Sequence, residues 1–167
     1  MAACHKLFSL VVVCGGNTCR SPMAQGILRS LLPAARKPNF RVFSAGVHAF
    51  SGGKASSMAI EVAGEDGVNL RRHRTRSADD GTLLEADLVL TLSPVYRDVL
   101  AEMCAPPFGL FTLKEFGVEG APPEDQTIAD PAGGSKETYR HCYREIKREI
   151  ERILPKLDAL FEMKRTP

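Results

Sequence analysis

The residues best suited to chemistry lie in the stretch VVVCGGNTCRSPMA, residues 11–24. Cys14 follows a run of β-branched residues, and five residues separate it from Arg20. Gly15 and Gly16 allow a loop whose backbone N–H groups turn inward and form an anion-binding concavity. A guanidinium group matches two oxygens of a phosphate. The spacing therefore predicts a binding loop for a tetrahedral dianion.

The same loop sets the chemistry expected of Cys14. The N-terminal end of the following helix and the Arg20 guanidinium both place positive potential here, which favours the thiolate form of the cysteine. A thiolate that faces the phosphorus atom of a bound phosphate is positioned for in-line attack. This order of groups predicts a cysteine-dependent phosphatase. A nucleotide-binding loop would need a lysine after the glycines, which leaves a structural turn or a non-catalytic phosphate-binding module as alternatives.

A phosphatase of this kind also needs a proton donor, and a second stretch offers one. Residues 125–135 read DQTIADPAGGS, in which Asp130 is followed by the rigid Pro131 and then by two glycines. We predict that Asp130 is the general acid, and later the base that activates water. Glu124 and Asp125 are the rival carboxylates, and we expect them only to solvate the loop.

The hydrophobic pattern predicts the elements that position these residues. Strands are predicted at residues 7–13, 40–43, 86–91 and 108–113. Helices are predicted at residues 22–32, 55–63 and 93–103, and Ser93 is the expected N-cap of the third. A long loop at residues 116–135 follows, and then a long last helix, which Pro155 should bend or divide. The alternation of strands and helices predicts an α/β fold, in which a four-stranded parallel twisted sheet carries helices on both faces of one domain, residues 1–167.

Composition limits the possible partners and the cellular compartment. Hydrophobic residues make up 44% and charged residues 25%, and the net charge of +2 is too small to indicate nucleic acid or membrane as a partner. No segment approaches the ~20 apolar residues of a membrane span, so we expect a cytoplasmic protein. We also expect a monomer. The odd number of cysteines, not arranged as a dense framework, indicates reduced thiols. A zinc site is not expected, because no second Cys/His pair at metal-ligand spacing accompanies Cys14 and Cys19. These cysteines are Cys4, Cys14, Cys19, Cys104 and Cys142.

Taken together, the motifs resemble the low-molecular-weight protein tyrosine phosphatase family over most of the chain. The resemblance implies the four-stranded parallel sheet, phosphorylated protein substrates, and no cofactor or metal. It also implies that Cys14 is the nucleophile, Arg20 the phosphate clamp and Asp130 the general acid/base. The motifs that carry the resemblance are VCGGNTCRSPMA, SAGVHAFSGGKAS, ADLVLTLS, FTLKEF and DPAGGSKETYR.

The resemblance assigns further roles around the loop. It implies that Cys19 pairs reversibly with Cys14 and protects it from over-oxidation. The phosphate-binding loop would comprise Gly15, Gly16, Asn17, Thr18, Cys19 and Arg20. The polar network that supports this loop would comprise Asn17, Ser21, Ser44 and His73. From the sequence alone, the basic stretch NLRRHRTRS, residues 69–77, is interpreted as a solvated loop, with contact to an acidic partner or nucleic acid as the alternative.

Thr18 points to a substrate class within that family. Tyrosine-specific members usually carry an aliphatic residue at this position, whereas the arginine phosphatase branch has threonine, whose hydroxyl can bond to a guanidinium or to the attacking water. Ala132 departs from the branch, which has phenylalanine there. We hypothesise that His48 and Phe50 supply the missing wall of the substrate cleft.

The resemblance therefore predicts a protein-arginine phosphatase, with a protein tyrosine phosphatase as the alternative. A third possibility is an arsenate reductase on the same scaffold. That chemistry needs a series of thiols that form successive disulfides. Cys104 and Cys142 are far apart in the sequence, which argues against it.

Overall fold

A parallel four-stranded sheet forms the centre of the molecule, with the strand order β2-β1-β3-β4. The computed structural model describes residues 7–165, so Cys4 lies outside the described residues. The strands are β1 (Phe8–Cys14), β2 (Phe40–Gly46), β3 (Leu88–Thr91) and β4 (Leu110–Thr112). All three strand pairings are parallel, which confirms the predicted fold class.

Helices cover both faces of this sheet. Within the described residues they are α1 (Arg20–Leu31), α2 (Ser57–Glu65), α3 (Asp80–Leu84), α4 (Pro94–Ala101) and α5 (Lys136–Arg165), with a short 3-10 helix at Lys37–Asn39. None of the helices described between residues 7 and 165 is long and apolar enough to cross a membrane.

The alternation of side chains along β1 divides the core into two layers. Leu10 and Val12 pack with residues of α1, α2 and α5. Val11 and Val13 point to the opposite face and pack with Leu83 of α3, among others. Since successive residues of a strand face opposite sides, the unbroken apolar run before Cys14 is what a strand covered on both faces requires.

The carboxyl ends of the strands meet at one edge, where the site is built. Cys14 pairs with Gly46 at the end of β2, and Val13 pairs with Thr91 at the end of β3. Ligands of open α/β sheets bind at this edge. The register therefore brings the loop after β1 beside the segments that follow its two neighbours.

Two predicted elements differ in the structure. The last helix is continuous from Lys136 to Arg165 and contains Pro155, so of the two predicted effects, bending or dividing, this proline does not divide the helix. Ile153 and Leu157 are buried on either side of the exposed Pro155, and their packing outweighs one lost helical hydrogen bond. Ser93 lies at the N-cap position of α4, but its side chain makes no capping hydrogen bond.

Candidate active site

The loop between β1 and α1 has a backbone that two glycines make possible. Asn17 has a φ of 55°, in the left-handed region that side chains seldom adopt. A Cβ on Gly46 would lie 2.4 Å from the carbonyl oxygen of Gly15 and 2.8 Å from the amide nitrogen of Asn17. A Cβ on Gly15 would lie 2.8 Å from the hydroxyl of Tyr96. Both positions therefore need glycine for close approach.

Asn17 holds this loop to three other segments. Its Nδ2 donates to the hydroxyls of Ser21 and Ser44, each at 2.9 Å. Its Oδ1 accepts from the backbone N–H of Arg76 at 2.9 Å, and its carbonyl accepts from His73 Nε2 at 2.9 Å. The side chain is buried, and these bonds together fix its strained backbone. The structure thus brings together Asn17, Ser21, Ser44 and His73, the four residues of the expected network.

His73 contributes to this network in its neutral form. Burial lowers the pKa of His73, and the nearby charges of Arg29 and Arg74 add to that effect, while the hydrogen bond to the Asn17 carbonyl opposes it. Because the carbonyl can only accept, the proton of the neutral ring lies on Nε2. His73 is therefore a fixed donor to the loop at neutral pH.

Cys14 lies at the base of the loop with 2% of its surface exposed. Its Sγ is 2.9 Å from the hydroxyl oxygen of Ser21. That oxygen accepts from Asn17 Nδ2, and the Ser21 proton has two acceptors in reach, the sulfur and the Ala45 carbonyl at 3.4 Å. A hydroxyl that donates to sulfur stabilises a thiolate.

Arg20 closes the loop and is 4% exposed. Its NH2 donates to Asp130 Oδ2 at 2.6 Å and to the Tyr96 hydroxyl at 3.2 Å, and its NH1 donates to the Ile128 carbonyl at 3.1 Å. Burial would lower the pKa of Arg20, but the charges of Cys14 and Asp130 outweigh it and raise that pKa. Among the described residues, buried Arg20 Nε has no hydrogen-bond partner, as expected of a donor meant for a ligand oxygen.

Asp130 approaches this cluster from the long loop between β4 and α5. Its side chain is 52% exposed, and its Oδ1 accepts from the backbone N–H of Ala132 at 3.1 Å. Pro131 is buried and anchors the turn. The Cys14 thiol, the Arg20 guanidinium and the Asp130 carboxylate thus lie in one cluster, as the sequence predicts.

Comparison with known proteins decides the family. Residues 9–163 match the family model described as low molecular weight phosphotyrosine protein phosphatase. The chain belongs to this phosphatase family. It is accordingly a cysteine-dependent phosphoprotein phosphatase.

Its relatives include phosphatases of two specificities. The chain is 36% identical over 153 residues to a protein-arginine-phosphatase of Geobacillus stearothermophilus, covering 91% of this chain and 97% of the relative. It is 31% identical over 153 residues to a probable low molecular weight protein-tyrosine-phosphatase, EpsP, of Ralstonia nicotianae, with coverage of 91% and 97%. The solved structure of YwlE arginine phosphatase from G. stearothermophilus matches with a TM-score of 0.77 and 35% identity, covering 91% of this chain and 94% of that chain.

The residues expected to shape the substrate cleft of the phosphatase lie around the loop. The Thr18 hydroxyl is 3.6 Å from Cys19 Sγ, and the Thr18 carbonyl accepts from the Ser56 N–H at 2.9 Å. The backbone N–H of His48 donates to the Gly15 carbonyl at 3.0 Å, which fixes the following segment beside the loop. The side chain of Phe50 is 93% exposed. Ala132 and His48 are also exposed, so the wall that we expect from His48 and Phe50 stays a prediction.

The two loop cysteines of the phosphatase are free thiols in the structure. Cys19 Sγ lies 3.4 Å from both the Ser56 hydroxyl and the Tyr139 hydroxyl. Cys142 is buried nearby, and burial raises its pKa to about 12. The reversible pairing of Cys14 with Cys19 stays a prediction.

Sequence reasoning missed three residues that the structure places at the phosphatase site. Tyr96 contacts Arg20 from the first turn of α4, Gly46 admits the loop backbone, and Gln25 accepts from Ser44 at 2.6 Å. The signal for Tyr96 was its position just after the carboxyl end of β3, at the edge where ligands bind. Gly46 ends β2 at the same edge.

Proposed function

We propose that the chain is a protein-arginine phosphatase that acts through a phospho-cysteine intermediate. The observation that carries the substrate class is Thr18, a hydroxyl residue between Asn17 and Cys19 of the phosphate-binding loop. It is half-buried, at the loop that holds the phosphoryl group. A relative that is 36% identical is a protein-arginine-phosphatase, which supports the same assignment.

The first step transfers the phosphoryl group to the enzyme. Arg20 and the loop N–H groups bind the phosphoryl oxygens, and the Cys14 thiolate attacks phosphorus. The S–P bond forms as the P–N bond breaks, and its electron pair goes to the guanidine nitrogen of the substrate. Asp130 donates a proton to that nitrogen. Because the phosphoryl group competes for the guanidinium that pairs with Asp130 in the structure, substrate binding frees this carboxyl to face the leaving group.

The second step returns the enzyme to its starting state. Asp130 takes a proton from a water molecule as the water oxygen attacks the phosphorus of phospho-Cys14. The S–P bond breaks, and its electron pair returns to sulfur, where the Ser21 hydroxyl at 2.9 Å stabilises the thiolate. Inorganic phosphate leaves.

Phosphate release from a phosphoarginine protein and from a phosphotyrosine peptide, at equal enzyme, tests the proposal. Cys14→Ser serves as the blank, because it removes the nucleophile. We expect kcat/KM to be higher for the phosphoarginine protein. A preference for the phosphotyrosine peptide would retain the mechanism and reject the substrate class.

The Thr18 argument has its own test. We expect Thr18→Ile to move the ratio of the two kcat/KM values toward phosphotyrosine by about tenfold or more, because a site that bonds a polar group discriminates strongly against loss of that bond. Thr18→Val is the matched variant, since it removes the hydroxyl with little change in volume. If Thr18→Ile moves the ratio and Thr18→Val does not, side-chain size sets specificity and the hydroxyl argument fails.

A tyrosine phosphatase with the same machinery is the second candidate. A relative that is 31% identical is a probable low molecular weight protein-tyrosine-phosphatase, which supports this candidate. The exposed Ala132 offers a stacking ring to neither a guanidinium nor a phenol ring. An arsenate reductase fits less well. Its thiol relay needs accessible thiolates, whereas burial raises the pKa of Cys142 to about 12.

A further inference from the structure

A basic cavity lies behind the phosphate-binding loop. Its volume is about 460 Å³. It opens between α1, β2 and the segment at residues 67–76, and its lining contains four arginines: Arg29, Arg72, Arg74 and Arg76. None of the residues that line it is an aspartate or a glutamate. The catalytic cluster of Cys14, Arg20 and Asp130 is not part of the lining.

These arginines differ from most others in the chain. Arg36, Arg97 and Arg140, for example, each form ion pairs with two carboxylates. Among the side chains that the structure describes, residues 7–79 and 81–165, none of the four cavity arginines forms an ion pair with a carboxylate within 4.0 Å. Uncompensated guanidinium groups that share one concavity create a strong positive potential.

The neighbouring groups hold several of these side chains in place. Arg29 donates through Nε and NH2 to the Val42 carbonyl, at 3.1 and 2.5 Å. The Arg76 guanidinium lies over the Phe43 ring, 5.2 Å from its centroid. Arg74 NH1 donates to the His73 carbonyl at 2.8 Å. These contacts use backbone carbonyls and a ring face, so the positive charges stay available to an anion.

The potential reaches titratable groups at the border of the cavity. The charges of Arg29 and Arg74 add to burial in lowering the pKa of His73. Hydrogen bonding with Thr82 lowers the pKa of Asp79, and the charge of Arg76 lowers it further. The charges of three of these arginines, Arg29, Arg74 and Arg76, therefore reach titratable groups in or near the cavity.

We propose that this cavity binds a small molecule carrying two or more phosphate groups. Guanidinium groups pair with phosphate oxygens in bidentate geometry, and several of them around one cavity suit more than one phosphate. The volume is within the range of small-ligand pockets, about 300–1,000 Å³. Inorganic pyrophosphate and a nucleoside triphosphate share this chemistry, and the apolar side chains of Val68 and Leu70 in the lining offer a surface for a nucleoside.

Calorimetric titration of the full chain with pyrophosphate, a nucleoside triphosphate and orthophosphate tests the proposal. Arg72→Ala/Arg74→Ala removes two exposed cavity arginines, and Arg71→Ala/Arg148→Ala removes two exposed arginines outside the cavity. Arg20→Ala reports on anion binding at the catalytic loop. We expect Arg72→Ala/Arg74→Ala to weaken the binding of pyrophosphate at one class of sites by about tenfold or more, and Arg71→Ala/Arg148→Ala to leave it unchanged. The same class of sites should persist in Arg20→Ala.

Each further outcome decides between ligands. Tighter binding of the nucleoside triphosphate than of pyrophosphate identifies a nucleotide, and equal binding identifies the polyphosphate group alone. Arg72→Lys/Arg74→Lys keeps the charges but loses the paired donors of the guanidinium, so it should recover only part of the affinity. Any recovery relative to Arg72→Ala/Arg74→Ala separates a binding defect from a folding defect. Loss of all pyrophosphate binding in Arg20→Ala would overturn the proposal, as would orthophosphate binding as tight as that of pyrophosphate. Neither result depends on whether the substrate carries phosphoarginine.

Discussion

At the scale of single residues, Asn17 links the greatest number of segments at the site. Its side chain and carbonyl bond to residues of α1, β2 and the segment that contains His73 and Arg76. Ser21, one of its partners, in turn contacts Cys14. The environment of the nucleophile therefore depends on residues far away in the sequence.

Asp130 is expected to matter most when the leaving group needs a proton. We expect Asp130→Asn to lower kcat on a phosphorylated protein by about 10²–10⁴-fold, because general acid catalysis contributes that much. The loss should be smaller with nitrophenyl phosphate, whose leaving group is stable without a proton. Steady-state kinetics with both substrates checks this. Asp125→Asn, in the same loop, is the control, and equal losses for both substrates would contradict the assignment.

Tyr96 is expected to position the Arg20 guanidinium. We expect Tyr96→Phe to lower kcat/KM by about 2- to 10-fold, because it removes one hydrogen bond and keeps the ring. The inhibition constant of inorganic phosphate should rise by a similar factor, while the melting temperature changes little. A lower melting temperature with unchanged phosphate inhibition would instead show a purely structural role.

At the scale of elements, an ion-pair cluster joins α2 to α5. Glu65 accepts from Arg140 Nε and NH2, each at 2.8 Å, and lies 3.0 Å from Lys136 Nζ. The hydrogen bond from Arg140, followed by that from Lys136, lowers the pKa of Glu65 to about 2. These contacts connect the helix after the loop of Asp130 with the rest of the site.

This cluster predicts a pH dependence of stability. Because the pKa of Glu65 is lower in the folded chain than its ordinary value of 4.5, its contribution is complete above that value and is lost as pH falls toward 2. The free energy of unfolding of the wild type should therefore exceed that of Glu65→Gln at pH 7, and the difference should shrink at pH 3. Urea denaturation at both values checks this, with Glu119→Gln as an exposed control. A difference independent of pH would exclude the ion pairs as its source.

At the scale of the whole molecule, the site unites segments from most of the fold. β1 and α1 carry the phosphate-binding loop, while α4 and the loop before α5 supply Tyr96 and Asp130. A ligand that binds only the folded arrangement must stabilise the entire chain.

Inorganic phosphate should accordingly raise the melting temperature. At a phosphate concentration of 100 times Kd, the free energy of unfolding rises by about 2.7 kcal/mol. This corresponds to an increase in melting temperature of about 5–10 °C for a chain of this size. Arg20→Ala should lose most of this shift, because it removes the guanidinium clamp. Scanning calorimetry with and without phosphate checks it, and an equal shift in Arg20→Ala would place the stabilising phosphate elsewhere.

The sequence by itself predicted the four strands, the four longer helices and the phosphate-binding loop, but not the short helix α3. The apolar run before Cys14 requires a strand that is buried on both faces. Cysteine, glycines and arginine at this spacing all suit the binding and transfer of a phosphoryl group, so local information was sufficient to predict both. The exact bounds were less certain: α1 begins at Arg20, two residues before the predicted start, since the Cys19 carbonyl accepts from the Met23 N–H at 3.2 Å and closes its first turn.

Only the tertiary structure decided which distant residues support the chemistry. His73 lies in a basic stretch that resembles a solvated loop, and its bond to the Asn17 carbonyl exists because that stretch folds against the end of β2. Tyr96, Gly46 and Gln25 have no residue pattern that reveals their roles, since these roles are close contacts between segments far apart in the chain; only the position of Tyr96 and Gly46 at strand ends pointed to the site. Likewise, Arg29 and Arg72 are ordinary surface residues in the sequence, and they become one basic cavity only because the packing of α1 against residues 67–76 brings like charges together.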